Sequence, residues 1–98
     1  MKPFTLISLQ GEPFERGYQY GARAAGSIAA NVRAYLRLIE FHAGLGPEAA
    51  LAAARGFAPL VEAYAPDLLE EMRGIAEGAG CSLDEVLLIN ARSELMGT

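Results

Sequence analysis

The sequence predicts an α+β chain, mostly helical, with one N-terminal strand. Three observations predict it. The run "FTLISL" is short, β-branched and aromatic and is bounded by Pro3 and Gly11, which suits a strand over 4–9. Beyond it, apolar residues recur at helical spacing: Ile28, Val32, Tyr35, Leu36 and Ile39 follow the i, i+4, i+7, i+8, i+11 rule. Finally, Pro13, Pro47 and Pro66 stand where helices can start, and pairs of glycines stand where they can stop. Together these predict helices over 13–43, 47–64, 66–78 and 83–92, within a single segment, 1–98, that is too short for a second domain.

A lone strand has no stability without neighbours, and the sequence offers no second one, so the strand at 4–9 is expected to pair with another chain. The first helix opens in "GEPFERGYQYG", where Pro13 fits the first turn and Glu12 and Glu15 favour the positive end of the helix dipole. Gly17 and Gly21 are four apart and share a face. Each costs about 1 kcal/mol in a helix relative to Ala, so the pair implies close backbone approach to something. Gly44 and Gly46 end this segment. Pro47 begins "PEAALAAARGFAPLVEAY", within which Pro59 should kink or end the helix by removing a backbone donor. Pro66 starts the third helix, with Leu68, Leu69, Met72, Ile75 and Ala76 inward and Gly78 and Gly80 as its stop. In "SLDE", Ser82 and Glu85 form a capping box that launches the fourth helix and carries Val86–Ile89 inside. No internal repeat or low-complexity run is evident.

Composition excludes several function classes. The net charge is −4 and the seven arginines are scattered, so no basic face for nucleic acid is expected. Apolar runs fall far short of the ~20 residues that span a membrane. The single Cys allows no internal disulfide, and the N-terminus lacks a signal-peptide pattern, which predicts a cytoplasmic chain. Apolar residues and Gly together make up 58 of the 98 residues, above the roughly 45–50% of ordinary domains. Ala, with 18 residues, absorbs part of the excess; the rest predicts an apolar surface facing another chain.

Candidate chemistry is sparse. Cys81 and His42 could in principle form a nucleophile pair, since a helix N-terminus lowers a thiol pKa. Nothing in the sequence brings them together, so an incidental loop thiol and a helix-end His are the expectation. One His and one Cys cannot build a zinc site, and no other metal or cofactor is implied. "RGYQYGARAAG" lacks the Lys-Ser/Thr of a phosphate loop and reads as a packing face. Asp67, Glu70, Glu71 and Glu77 read as a solvated helix face. Asn90, Arg92, Ser93 and Glu94 emerge directly from the apolar run, where an uncompensated charge is costly, so partners are expected for them. Residue chemistry alone leaves anchoring and catalysis both open, because buried ion pairs occur in both roles.

Three stretches, "GEPFERGYQYG", "LLEEMRGIAEGAG" and "LLINARSEL", occur in an order and spacing that resembles the α-chain region of the acyl-coenzyme A:isopenicillin N acyltransferase family. This is a branch of the N-terminal nucleophile hydrolases, and the resemblance spans about Gly11 to Leu95. It implies a precursor that cuts itself before a Cys, which then becomes the nucleophile at the N-terminus of a larger β chain with its own α-amine as base. It further implies a four-layer αββα sandwich completed by that β chain. No catalytic residue is expected in this chain. Asn90, Arg92 and Glu94 match the segment beside the active site and are expected to hold the cleavage region and shape the pocket. In the family the nucleophilic Cys follows this segment after a short connection; here Gly97-Thr98 follow it with no Cys, and Cys81 precedes it and does not match.

The expected function is therefore that of the α subunit in a self-cleaving heterodimer, transferring an acyl group from an amide or thioester donor to an amine or water. The alternative, from another class, is a free-standing helical protein- or lipid-binding module without catalysis.

Overall fold

Proline sets the helix starts. The computed structural model describes residues 12–95, with side chains described as far as Asn90, and within that range Pro13, Pro47, Pro59 and Pro66 each lie in the first turn of a helix. There the missing N–H would lack an intrahelical partner anyway, and the fixed φ is already helical. Six helices result: α1 (Pro13–Arg23), α2 (Ala25–Ala43), α3 (Pro47–Arg55), α4 (Ala58–Tyr64), α5 (Pro66–Ala79) and α6 (Leu83–Leu95). Gly44 and Gly80 stop α2 and α5 in the left-handed region, at φ 72° and 74°. At the second stop, Cys81 N–H donates to the Ala76 carbonyl at 2.9 Å and Gly80 N–H to that of Glu77 at 3.3 Å, the paired bonds of a Schellman motif.

This architecture corrects the α+β expectation. Every regular element among the described residues is a helix, and the core closes helix on helix without a sheet. The four-layer sandwich drawn from the family resemblance is corrected with it. The strand itself was expected at 4–9, which lies outside the described residues.

Helix boundaries differ in instructive ways. The expected helix 13–43 is broken at Ala24 (φ −103°, ψ 16°), although no glycine or proline stands there. The expected helix 47–64 breaks at Gly56-Phe57, just before Pro59, which opens α4 instead of bending a longer helix. Gly78, expected as part of a stop, lies inside α5.

The core is assembled from Ile28, Val32 and Ile39 of α2, Ala50 and Ala54 of α3, Met72 and Ala76 of α5, and Val86, Leu87 and Leu88 of α6. Three consecutive buried residues sweep about 200° of a helix, so α6 is enclosed on more than half its circumference. Accordingly it touches α2, α3 and α5. The capping box fixes its start: Glu85 N–H donates to Ser82 Oγ at 3.1 Å, and Ser82 N–H donates to Glu85 Oε1 at 2.8 Å. Arg55, the last residue of α3, donates through Nε and Nη2 to one carboxylate oxygen of Asp84, at 3.0 and 2.7 Å. That contact registers α3 against the first turn of α6. No buried polar or charged side chain occurs among the described residues.

Helices α1 and α5 meet along a seam of glycines. A Cβ on Gly17 would overlap the Glu71 carbonyl oxygen, and one on Gly21 that of Ile75. Reciprocally, a Cβ on Gly74 or Gly78 would overlap the carbonyl oxygen of Phe14 or Tyr18. The contacts advance in the same direction along both helices, so the pair is parallel. The two faces carry the same seven-residue pattern, Arg-Gly-x-x-x-Gly-Ala, at 16–22 and 73–79, a short repeat that sequence inspection misses. Glycine is needed at these four positions because backbone meets backbone, with no room for a methyl group between.

Candidate functional site

The sequence-predicted site residues lie on α6. Its backbone carries Asn90, Arg92 and Glu94 over the last turns, three residues further than the expected end at 92. The side chains of Arg92 and Glu94 lie outside the described residues. Asn90 is described: its side-chain amide donates to the Val86 carbonyl one turn back, at 2.9 Å. That bond ties the amide to its own helix and orients its oxygen away from it.

Asn90 borders an open cleft of about 220 Å³ walled by Tyr20 of α1, Ile28 and Asn31 of α2, Ile75 of α5, and Val86 and Ile89 of α6. The parallel seam creates this concavity, because α1 and α5 lie so close that Tyr20 and Ile75 form one continuous wall. The lining is mostly apolar, with Tyr20, Asn31 and Asn90 as its polar groups. A phenol and two carboxamides can donate to a carbonyl or accept from an N–H. The volume is below the ~300–1,000 Å³ of ordinary small-molecule pockets. Of these three polar groups the sequence reading singled out Asn90 and not Tyr20 or Asn31. Their usable signal was the spacing of Asn31 from Ile28, three residues apart and therefore on one face.

A second cleft, of about 250 Å³, lies between α2 and the α5–α6 connection, lined by Ile28, Val32, Arg33, Leu36, Cys81 and Glu85 among others. Cys81 is half-buried. Desolvation, and after it the Glu85 carboxylate, push the Cys81 thiol above its ordinary value. Both effects disfavour the thiolate, so the thiol is a poor nucleophile at neutral pH. His42 is not in this cleft. The α2 residues there end at Leu36, and six further residues add about 9 Å of helix rise. His42 instead packs edge-on against the Phe41 ring, with centroids 5.1 Å apart. The structure therefore does not bring Cys81 and His42 together.

Among the described residues no cluster of three or more His, Cys, Asp or Glu is placed to hold a metal ion, and no helix is long and apolar enough to cross a membrane. Large apolar side chains do face outward. Phe41 is 82% exposed and Tyr64 87%, with Leu60, Leu68, Phe14 and Tyr18 also exposed. No family model matches the chain.

Proposed function

We propose that the chain is the α subunit of a self-cleaving heterodimeric acyltransferase or amidohydrolase, with the nucleophile on a β chain released from the same precursor. One observation supports this reading above the others. The three stretches that carry the family resemblance converge on one cleft, through Tyr20 from the first, Ile75 from the second, and Ile89 and Asn90 from the third. That cleft is too small to serve as a whole site and suits one wall of a larger one. The raised pKa of Cys81 agrees with a nucleophile supplied from elsewhere.

In the proposed reaction, the N-terminal Cys of the β chain gives its thiol proton to its own α-amine and attacks the acyl carbon of an amide or thioester. The acyl–N or acyl–S bond breaks, and the leaving group departs with that proton. Water or an amine then attacks the enzyme thioester and restores the thiol. No metal or cofactor, nucleic acid or membrane takes part, and the setting is cytoplasmic. Asn90, Arg92 and Glu94 hold the cleavage region and shape the pocket; this chain alone is inactive. Glu94→Gln accordingly slows processing, and a fully processed, fully active variant would remove Glu94 from that role.

The test is the denatured intact mass of natively purified protein. The expected result is a second, larger polypeptide that begins with Cys. A single polypeptide of 10.4 kDa overturns the subunit reading.

The alternative, a helical protein- or lipid-binding module without catalysis, is favoured by α4. That helix has no buried residue and presents Leu60 and Tyr64, four apart on one face, to solvent. An isolated 10.4 kDa species would point to it.

A further inference from the structure

We infer that α1 is an exchangeable element, passed between two copies of this chain when Ala24 straightens and α1 and α2 fuse into one helix. Three observations carry the inference, none of which depends on the acyl-transfer reading.

The first is how α1 is held. Its only buried residues are Gly17 and Gly21, and its packing is almost wholly against α5. No large side chain of α1 enters the buried core, so what its release gives up is chiefly its interface with α5, which exchange restores.

The second is the hinge. It is a single residue, Ala24, within Ala22-Arg23-Ala24-Ala25, four strong helix formers. The helical ladder is interrupted only there: Ala24 N–H still donates to the Tyr20 carbonyl, and the Ala24 carbonyl still accepts from Ile28, each at 2.9 Å. At 100° per residue, Gly17, Gly21, Ile28, Val32 and Ile39 fall within about 60° of one another on a straight helix. A continuous helix from Pro13 to Ala43 therefore keeps the seam face in line with the core face. It also supplies partners for the Ala25, Gly26 and Ser27 amides, which as the first turn of α2 have no place in its ladder.

The third is the occupant. The straightened helix carries its glycine face away from its own α5, and a second copy has the same α5 vacated in the same way. Reciprocal exchange rebuilds the observed seam, residue for residue, so no new complementarity has to arise. Short hinges invite such exchange. The bent monomer dominates in dilute solution because a one-residue tether gives the intramolecular seam a high effective concentration.

The experiment is native mass measurement of the full chain, from low micromolar to near-millimolar concentration, with hydrogen exchange on each species. The expected result is a dimer of twice 10.4 kDa that accumulates with concentration. In it the Ala25, Gly26 and Ser27 amides become protected, whereas in the monomer they exchange freely. Ala24→Gly leaves the bent form intact, since its φ and ψ are open to Gly, but disfavours the continuous helix by about fivefold per hinge, or about thirtyfold for the two hinges of a dimer. A chain that stays monomeric throughout overturns the inference. So does a dimer whose three amides exchange as in the monomer, or one whose dissociation constant Ala24→Gly leaves unchanged.

Discussion

Replacing Gly74 with Ala should destabilise this protein, although the same change in an ordinary helix stabilises it. Propensity alone favours Ala by about 1 kcal/mol, because Gly loses more backbone entropy on folding. At position 74, however, the new methyl group would overlap the Phe14 carbonyl oxygen and stand 2.8 Å from the Tyr18 nitrogen and 2.9 Å from the Phe14 carbonyl carbon. All three are backbone atoms and cannot rotate aside, so α1 must shift as a body. Overpacking of this kind costs about 1–3 kcal/mol, and the shift also opens the contacts at Gly17, Gly21 and Gly78. The net expectation is a loss of up to about 2 kcal/mol. Gly26 supplies the internal control. It is helical and exposed, and a Cβ there meets nothing within 4 Å, so Gly26→Ala should gain up to about 1 kcal/mol. Thermal unfolding followed by circular dichroism reads both, since each kcal/mol moves Tm by about 4–8 °C in a domain of this size. Opposite signs are expected. If Gly74→Ala raises Tm as Gly26→Ala does, α1 and α5 do not touch in the way described.

Other perturbations test separate parts of the molecule. Ser82→Ala removes the acceptor of the Glu85 amide and should cost about 1 kcal/mol in chemical denaturation, with no change in the denaturant slope. Leu88→Ala empties a fully buried position between helices and should cost about 2–5 kcal/mol; a loss below 1 kcal/mol would put Leu88 outside the core. Cys81 has a thiol pKa raised in the folded state, so its contribution to stability is complete below the ordinary thiol pKa and is lost as pH rises through the folded value. Stability should therefore decline across that alkaline window and Cys81→Ser should flatten this part of the decline, while alkylation of the native thiol should reach half its maximal rate at a higher pH than for an unfolded chain.

Much of the helical organisation could be read locally. The proline starts, the stops at Gly44 and Gly80, and the Ser82–Glu85 box depend on residues within one turn of each other, and so did the burial of Val86, Leu87 and Leu88. What the sequence hid is non-local. Gly17 and Gly21 announced a close approach, but their partners Gly74 and Gly78 lie 57 residues on, and Gly78 resembled a terminator because it stands next to a true one. The break at Ala24 had no local signature, since the docking of α1 on α5, not a weak helix former, produces it. The Arg55–Asp84 contact spans 29 residues and joins side chains that each read as ordinary surface charge. At the cleft, Asn90 stood out because it follows an apolar run, whereas Tyr20 and Asn31 reach the same place only through the packing of three helices. The sheet expectation failed because one short β-branched run was asked to fix the class of a chain whose described part needs no strand.

The position of α6 in the chain has a consequence for biosynthesis. Residues Val86, Leu87 and Leu88 complete the packing of α2, α3 and α5, yet they are translated after all of these helices. Until they clear the ribosome, Ile28, Val32, Ile39 and Met72 have no central helix to close upon, and short helices gain too little from propensity alone to persist in water. Until α6 emerges, the nascent chain thus presents sticky, half-formed surfaces, a natural client for chaperones that hold unfinished chains. Closure of this helical core therefore waits on α6, and a ribosome paused just upstream of Val86 would hold the five preceding helices without the residues that bring α2, α3 and α5 together.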